Sequence, residues 1–312
     1  MSIVVPMLNE VENVSSFSEY LRGIAEANAG YEFEIVAVDD GSTDGTADVL
    51  RTNIPEQFDA TFIQLSRNFG SHYALSAGFD AASGDCAIAI GADMQEPSEL
   101  ITEFLAKWSQ GFEVVWGIRL TRSVGGPRSW PSRIFSRIFA RYSDIDTYPA
   151  EGPSGALVDR AVLDAIALLR ERNRNVYGLI AWVGFHQTRV EYEQRSRVSG
   201  VSKWTTRRLV QLAFDSFVQF SSTPIRAAGL LGLLIAGVGF AYAIFLIARA
   251  FGGAEPPEGW TTVVVIVLIM GGIQLIVLSV FGEYLWRATD EARRRPLYIV
   301  RDRFTVSRDE HD

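Results

Sequence analysis

Three short polar segments in the first hundred residues carry side-chain oxygens of the kind that bind metal ions or nucleotides. In the clearest of them, residues 84–97, an apolar run ends on Asp93 and Gln95. Side chains two positions apart on an extended segment point the same way, so a carboxylate and an amide oxygen could share one face. Such oxygens suit a hard cation, Mg²⁺ or Mn²⁺. A capped turn before a helix, with Pro97 at its first position, accounts for the same residues.

Composition restricts the classes of protein that this chain can belong to. Hydrophobic residues make up 48% of the 312 residues, and their excess follows residue 224. A formal net charge of -8 argues against a general nucleic-acid binder. The single cysteine, Cys86, lies in an apolar run and is predicted to be a small core residue. The first residues lack the features of a signal peptide, which predicts a cytoplasmic amino-terminal part.

Alternating strands and helices are predicted to position the polar segments. Short apolar runs indicate strands at residues 3–6, 33–38, 61–65, 86–90 and 113–118. Helical spacing of apolar residues separates them, for example over residues 72–82 and 97–108. Five such alternations predict an α/β fold with a mostly parallel sheet that is covered on both faces.

In a parallel sheet, ligands bind beyond the carboxyl ends of the strands. All three polar segments fall at such ends, and they contain Asn9 with Glu10, Asp39 with Asp40, and Asp93 with Gln95. The first strand is not followed by the Gly-x-Gly-x-x-Gly pattern of dinucleotide-binding folds, which disfavours that variant. The segment 39–46 is also typical of a turn and helix cap, but such a loop can still present Asp40 to a ribose or base.

Arginine is concentrated in two regions. Residues 119–141 hold six arginines and no acidic residue, and Arg133, Arg137 and Arg141 recur at helical spacing. A second cluster lies within residues 195–208 and includes Arg197 and Lys203. A solvated helix face is the plain interpretation of such runs. In an acidic chain, however, we expect them to contact anionic lipid or phosphate.

The last third of the chain has the pattern of a membrane-associated segment. Residues 205–223 alternate apolar and polar positions, which predicts a juxtamembrane amphipathic helix. Two uncharged stretches of 22 and 24 residues follow, at 227–248 and 259–282. Each can cross a bilayer, since about 20 residues suffice. Arginines after the second stretch, and none in the loop between the two, predict a two-helix hairpin with both ends in the cytoplasm.

Several motifs resemble those of one enzyme family. Pro6-Met-Leu-Asn-Glu10, Val38-Asp-Asp-Gly-Ser-Thr-Asp-Gly-Thr46 and Ala92-Asp-Met-Gln-Glu-Pro97 resemble the nucleotide-sugar motifs of family 2 inverting glycosyltransferases with the GT-A fold. Trp182-Val-Gly-Phe185, the 197–204 segment, the paired apolar spans and the ending Arg294-Arg-Pro-Leu-Tyr-Ile-Val300 are similar to the polyprenyl-phosphate glycosyltransferase branch. That branch includes dolichyl-phosphate mannose synthase and bacterial undecaprenyl-phosphate glucosyltransferases.

The resemblance implies a role for each matching residue. A nucleotide sugar, UDP- or GDP-linked, would be held by Pro6, Leu8, Glu10, Asp39, Asp40 and Ala92. Asp93 and Gln95 would hold Mg²⁺ or Mn²⁺, with Asp93 also counted as catalytic. The phosphate of a polyprenyl acceptor would be bound by Arg119, Arg122, Arg133, Arg197 and Lys203. The implied enzyme moves one sugar to that phosphate with inversion and makes a lipid-linked donor for cell-envelope glycans.

Two departures from the family pattern affect the catalytic residues. The metal motif is commonly Asp-x-Asp, but its first position here is Gly91. Ser154 stands where many relatives have a presumed base, and whether Glu151 replaces that base is open. The departures keep a non-catalytic scaffold that binds nucleotide sugar or lipid as an alternative. A processive polysaccharide synthase is a second alternative, although its Gln-x-x-Arg-Trp motif is missing.

These observations predict four parts of the chain. A cytoplasmic GT-A catalytic domain spans 1–204, the interfacial helix spans 205–223, two transmembrane helices span 224–286, and a cytoplasmic tail spans 287–312. The expected location is the cytoplasmic (inner) membrane, in contact with membrane lipid. A homo-oligomer is compatible with a chain of two spans, but no residue pattern requires one. The sequence does not reveal the sugar or the base of the nucleotide.

Overall fold

A computed structural model describes most of the chain. The described residues are 1–53, 57–120, 145, 147–149, 152–172, 174–195, scattered positions between 229 and 248, and 259–307. The predicted helices carrying Arg133 and residues 205–223 lie outside them, as does the loop between the two predicted spans.

The described elements alternate as the sequence predicts through the first 119 residues. The strands are β1 Ser2–Met7, β2 Glu34–Asp39, β3 Asp59–Leu65, β4 Cys86–Ala89, β5 Val114–Arg119, β6 Gly155–Asp159, β7 Gln187–Tyr192 and β8 Val300–Val306. The helices are α1 Val14–Ala27, α2 Thr46–Asn53, α3 Ser71–Ala81, α4 Ser98–Trp108, α5 Arg160–Leu168, α6 Val176–Trp182 and α7 Trp260–Ala292, with a 3-10 turn at Val11–Asn13.

All eight strands form one sheet in the order β7-β5-β6-β4-β1-β2-β3-β8. β1 pairs in parallel with both β2 and β4, and β2 pairs in parallel with β3. β6 runs antiparallel to both β4 and β5, which makes β5 and its parallel neighbour β7 run with the central strands. Only β6 and β8 are reversed among these eight strands, so the predicted mostly parallel sheet is confirmed.

The core explains why the apolar spacing produces these elements. On α1, Val14, Phe17, Leu21 and Ile24 recur at helical spacing and are all buried, so one stripe of the helix packs on the sheet. The central strands β1 and β4 are buried along almost their whole length, as expected for parallel strands covered on both faces. Cys86 is fully buried, and burial raises the pKa of its thiol to about 12. The predicted core role of Cys86 is therefore confirmed.

The sequence did not predict β8. Val300–Val306 lies in the segment assigned to the carboxyl-terminal tail, yet it pairs antiparallel with β3 and closes that edge of the sheet. Phe304 packs on Phe62 with ring centroids 4.9 Å apart, and the Arg51 guanidinium lies 4.9 Å from the centroid of the Phe304 ring. Arg51 also pairs with Asp302. A strand far away in sequence therefore completes the amino-terminal sheet.

The chain divides into two compact units. One contains Met1–Arg141, Ile145–Phe217 and Pro296–Asp312, and the other contains Tyr142–Asp144 and Val218–Arg295. Within the second unit, Ile269–Ala292 of α7 is the one helix of the described residues that is long and apolar enough to cross a membrane. The predicted pair of spans is thus not confirmed. Described positions between 229 and 248 are helical, but most of the first predicted span lies outside the described part of the chain.

Candidate active site

Strand direction brings the polar segments to one edge of the sheet. β1, β2 and β4 are parallel neighbours, so the segments that follow them leave the sheet on the same side. β5 and β7 end at this edge too, with Arg119 and Tyr192 as their last residues. Because β6 is antiparallel, it begins there, directly after Ser154. Residues from six strands therefore meet along one rim.

Hydrogen bonds join the loops after β1 and β2. The Asn9 N–H donates to Ser42 Oγ at 2.8 Å, and the Thr43 N–H donates to Asn9 Oδ1 at 2.9 Å. The Glu10 N–H donates to Thr46 Oγ1 at 2.9 Å. Asn9 has a φ of 52°, a left-handed conformation that asparagine tolerates better than most residues. The two loops are thus held as one frame at the end of β1.

Asp39 and Asp40 are both buried, and their carboxylates bond within the protein. Asp39 accepts from the Ser42 N–H at 3.0 Å and from Gln64 Nε2 at 3.1 Å. Asp40 accepts from the backbone N–H groups of Phe69 at 2.7 Å and Gly70 at 2.9 Å. Burial raises the pKa of Asp40 although these two N–H groups lower it. Asp40 therefore fixes the start of α3 in addition to any contact with a nucleoside.

Gly41 permits a close approach of these loops. It has a φ of +74°, and a Cβ added there would lie 2.4 Å from the backbone carbon of Arg67. Any larger residue would push the loop after β2 away from the segment that Asp40 holds. The predicted turn is therefore a tight backbone junction, and Asp44 also caps α2 by accepting from the Thr46 N–H at 3.0 Å.

The loop that carries Asp93 differs from the expected strand end. β4 ends at Ala89, and Met94 adopts a φ of 53° between Asp93 and Gln95. The alternation rule for extended segments consequently does not apply to these two side chains. A bulky residue with positive φ is unusual and tends to occur where a site requires it. Met94 is buried, so core packing helps to hold this turn.

Gln95 belongs to a chain of three polar side chains. Its Oε1 accepts a hydrogen bond of 2.5 Å from Gln194 Nε2, and the Gln194 Oε1 accepts from the Arg119 guanidinium at 3.0 Å. The Arg195 N–H donates to the Gln95 carbonyl at 2.9 Å. Arg119, predicted to bind the lipid phosphate, is thereby connected to the loop that carries Asp93. Gln194 follows β7 and orients Gln95 from a position about a hundred residues away.

Glu96 is a further carboxylate in the same loop. Burial, and less strongly the charge of Asp93, raise the pKa of Glu96 to about 7, while backbone N–H groups and Arg119 lower it. The main-chain carbonyl of Glu96 accepts from the Tyr20 hydroxyl at 2.8 Å, which ties the loop to α1. The segment around Asp93 therefore carries two neighbouring acidic groups instead of one.

Ser154 makes structural hydrogen bonds. Its hydroxyl donates to the Gly117 carbonyl at 2.9 Å and lies 2.8 Å from the Tyr192 hydroxyl. A serine has one hydroxyl proton, so Tyr192 is the donor in the second bond. Burial raises the pKa of Tyr192, and the charges of Glu96 and Asp93 act in the same direction. Ser154 thus links β5, β6 and β7 beside the loop that carries Asp93 and Glu96.

The structure assembles only part of the predicted set. Pro6, Leu8 and Glu10 lie half-buried at the end of β1, and Ala92 is buried beside Asp93. The residues that lie outside the described part of the chain are Glu151, Arg122, Arg133, Arg197 and Lys203. Sequence reasoning missed Glu96, Tyr192 and Gln194. Glu96 stands inside a recognised motif and could have been found, whereas no local pattern distinguishes the other two.

The described residues fit a divalent cation that takes only some of its ligands from the protein. They contain no group of three or more His, Cys, Asp or Glu side chains arranged for a metal. The loop does offer hard oxygen donors, and Glu96 Oε2 is a buried atom without a hydrogen-bond partner among the described residues. Mg²⁺ commonly keeps waters and substrate phosphates in its shell and needs few protein ligands. Asp93 and Gln95 are therefore adequate candidates.

Comparison with known proteins identifies the family of this chain. Residues 2–166 match the family model described as glycosyl transferase family 2. The chain is 36% identical to the uncharacterized glycosyltransferase YkcC of Bacillus subtilis, over 99% of this chain and 97% of that protein. It is 34% identical to a bactoprenol glucosyl transferase of Shigella phage SfV, over 97% of this chain and 98% of that protein.

Among solved structures, mannosyl-3-phosphoglycerate synthase from Rubrobacter xylanophilus is 18% identical with a TM-score of 0.48. The match covers 83% of this chain and 77% of that one. On the sequence matches, the chain belongs to glycosyltransferase family 2, and its sheet is of the GT-A type. The predicted family is confirmed.

Proposed function

We propose that this protein transfers one sugar from a nucleotide sugar to polyprenyl phosphate, with inversion at the anomeric carbon. The observation that carries the proposal is similarity over almost the full chain to a protein named bactoprenol glucosyl transferase. The similarity extends beyond the 2–166 family match and into the apolar carboxyl-terminal part. A lipid acceptor would explain why an enzyme with a water-soluble donor has this apolar part.

In this proposal, the donor occupies the rim beyond β1, β2 and β4. The joined loops around Asn9 and Asp40 form a rigid frame for the nucleoside, which reduces the cost of ordering the site on binding. Gln194 holds Gln95, and Arg119 in turn holds Gln194. The donor diphosphate would then lie next to Asp93, where a bound divalent cation would neutralise the departing nucleotide diphosphate.

The acceptor needs little covalent assistance from the protein. The second pKa of a phosphate monoester is about 6, so at neutral pH its oxygen carries the charge needed for attack. The side chains must mainly hold that oxygen in line with the anomeric carbon, because orientation and electrostatics supply most of the acceleration. This requirement agrees with a Ser154 hydroxyl that is already engaged with Gly117 and Tyr192.

β8 supports the proposed membrane topology. One sheet contains strands from residue 2 to residue 192 and, after the apolar region, residues 300–306. A hydrogen-bonded sheet of this kind cannot lie partly on each side of a bilayer. The intervening chain must therefore cross the membrane an even number of times if it crosses at all. Two spans with the catalytic unit in the cytoplasm, at the inner membrane, satisfy this condition.

A donor and acceptor screen tests the proposal. Membranes containing the protein would be incubated with radiolabelled UDP- or GDP-sugars and undecaprenyl phosphate, and label extracted into organic solvent would be counted. Undecaprenol, which lacks the phosphate, is the matched acceptor control. We expect labelled lipid with one donor, only with the phosphorylated acceptor, and with a single sugar by mass spectrometry.

The same screen separates the alternatives. A scaffold that only binds nucleotide sugar or lipid would release no nucleotide when polyprenyl phosphate is added, whatever the donor. A processive synthase would yield products with several sugars. Either result would contradict the proposal.

A further inference from the structure

The Glu96 side chain is held in place but leaves one oxygen atom unused. The backbone N–H groups of Glu96 and Gly91 face its carboxylate. The Oε2 atom is buried and has no hydrogen-bond partner among the described residues. A buried, unpartnered carboxylate oxygen is costly, because it has lost its water and gained nothing in return. The loop thus contains a buried carboxylate oxygen, Glu96 Oε2, to which no ligand has been assigned.

Gly91 leaves open the space that this oxygen borders. A Cβ added at Gly91 would lie 2.7 Å from Asp93 Oδ1 and 3.8 Å from Glu96 Oε2. Both carboxylate oxygens therefore border one small space, which stays free because residue 91 has no side chain. The left-handed Met94 and the bond from the Met94 N–H to the Gly91 carbonyl at 3.2 Å curl the loop around it.

Two carboxylates that face the same space repel one another, and burial strengthens the repulsion. The positive charge of Arg119 offsets part of this repulsion, but its guanidinium also donates a hydrogen bond to Gln194. A divalent cation placed between two carboxylates removes both the repulsion and the unpartnered oxygen, and paired carboxylates are typical ligands of Mg²⁺ and Mn²⁺. Gln95 Oε1, by contrast, already accepts a hydrogen bond from Gln194.

We propose that Glu96 is the second carboxylate ligand of the divalent cation, together with Asp93. The inference rests on the proposed use of a cation by this enzyme. Glu96 thereby supplies the second carboxylate of a loop that has glycine at position 91.

Binding of Mn²⁺ alone tests the proposal without any sugar transfer. The purified full-length protein in detergent would be titrated with Mn²⁺, and the free ion would be followed by electron paramagnetic resonance. We expect Glu96→Gln and Asp93→Asn each to weaken Mn²⁺ binding by about 10-fold or more. Glutamine keeps the shape and can still accept the Gly91 N–H, so the loop should remain folded.

Glu99→Gln is the matched control. Glu99 lies three positions further on, its side chain is 70% exposed, and it pairs with Arg195. We expect it to change Mn²⁺ affinity by less than about twofold, since exposed ion pairs contribute little. Wild-type affinity in a folded Glu96→Gln protein would show that Glu96 only shapes the loop, and would overturn the proposal.

Two further results keep the test decisive. If Glu96→Gln does not fold, Glu96→Asp replaces it; this variant keeps the charge but withdraws it by one methylene, and an unchanged affinity would again overturn the proposal. A native protein that binds no Mn²⁺ at millimolar concentration would do the same. Neither result bears on the transfer of sugar to polyprenyl phosphate, because the donor and acceptor screen measures that reaction separately.

Discussion

Asp93 is the residue on which the proposed chemistry depends most directly. It lies in the curled loop after β4, beside Glu96 and next to the left-handed Met94. Its position at the rim follows from the direction of β4, while its orientation follows from the turn. The first of these is readable from the sequence, and the second is not.

We predict that Asp93→Asn lowers sugar transfer at least about 100-fold, equivalent to about 3 kcal/mol of barrier, because the amide cannot replace a charged metal ligand. Transfer rates in membranes, with and without excess EDTA, are the measurement. Asp85→Asn is the control, since Asp85 is an exposed carboxylate just before β4, at the opposite end of that strand. Near-normal transfer by Asp93→Asn, or by the native enzyme in EDTA, would show that no metal is needed.

Ser154 gives a second prediction at this scale. Ser154→Ala removes the acceptor of the Tyr192 hydroxyl and the donor to Gly117, so we expect a loss of about 1–2 kcal/mol in the free energy of unfolding. Transfer should continue, and its rate should rise through about pH 6 and then stay constant as the acceptor phosphate ionises. Rates of the native protein, Ser154→Ala and Glu151→Gln across pH would be compared.

We expect Glu151→Gln to reduce transfer more than Ser154→Ala, because Glu151 can still orient a substrate. A large loss of transfer in a stable Ser154→Ala protein would contradict a purely structural serine.

At the scale of elements, α3 and the start of α6 hold a half-buried histidine, His72, between them. Nδ1 of His72 lies 3.4 Å from the Val176 N–H, and the ring makes an edge contact with Tyr177. Burial, together with the charge of Arg174, lowers the pKa of His72 to about 4. In the unfolded chain, the same imidazole ring is protonated below about pH 6.5, whereas in the folded protein it stays neutral down to about pH 4.

This arrangement predicts a loss of stability in acid. Between pH 6.5 and pH 4, the unfolded state binds a proton that the folded state excludes, so the free energy of unfolding falls as pH falls. The contribution of His72 is about 3 kcal/mol at most. Thermal unfolding in detergent across this range would be compared between the native protein and His72→Asn, which keeps an acceptor but does not titrate. Parallel curves for the two proteins would exclude this role.

At the scale of the whole molecule, the chain returns to the amino-terminal sheet after the apolar region. β8 returns the chain to β3 after α7, whose 33 residues span about 50 Å and exceed the hydrocarbon thickness of a bilayer. Leu275 and Leu278 on this helix are 68% and 61% exposed, which suits contact with lipid.

We predict that both termini lie in the cytoplasm and that the loop between the spans faces outward. After Cys86→Ala, a Gly253→Cys variant should react with an impermeant maleimide in intact cells, whereas a Ser307→Cys variant should not. Gly253 lies outside the described residues, and Ser307 directly follows β8. The reverse pattern would overturn the topology, and labelling at both positions would contradict the pairing of β8 with the sheet.

Local patterns in the sequence determined the elements and the approximate place of the site. Apolar periodicity predicted β1 to β5 and the helices between them, because burial on a sheet imposes that spacing over a few residues. The same reasoning predicted that Asp40 and Asp93 lie at one rim, since the carboxyl ends of parallel strands lie at the same edge of a sheet.

Only the tertiary structure decided the contacts that join distant segments. The Gln194 to Gln95 bond links residues 99 positions apart, and Thr61 lies opposite Thr305 across 244 positions. The sequence of Val300–Val306 has no strong strand pattern, because its position at the sheet edge leaves several of its side chains exposed. Such pairings depend on the shape of the assembled sheet, and no residue carries a local signal for a partner that only folding brings near.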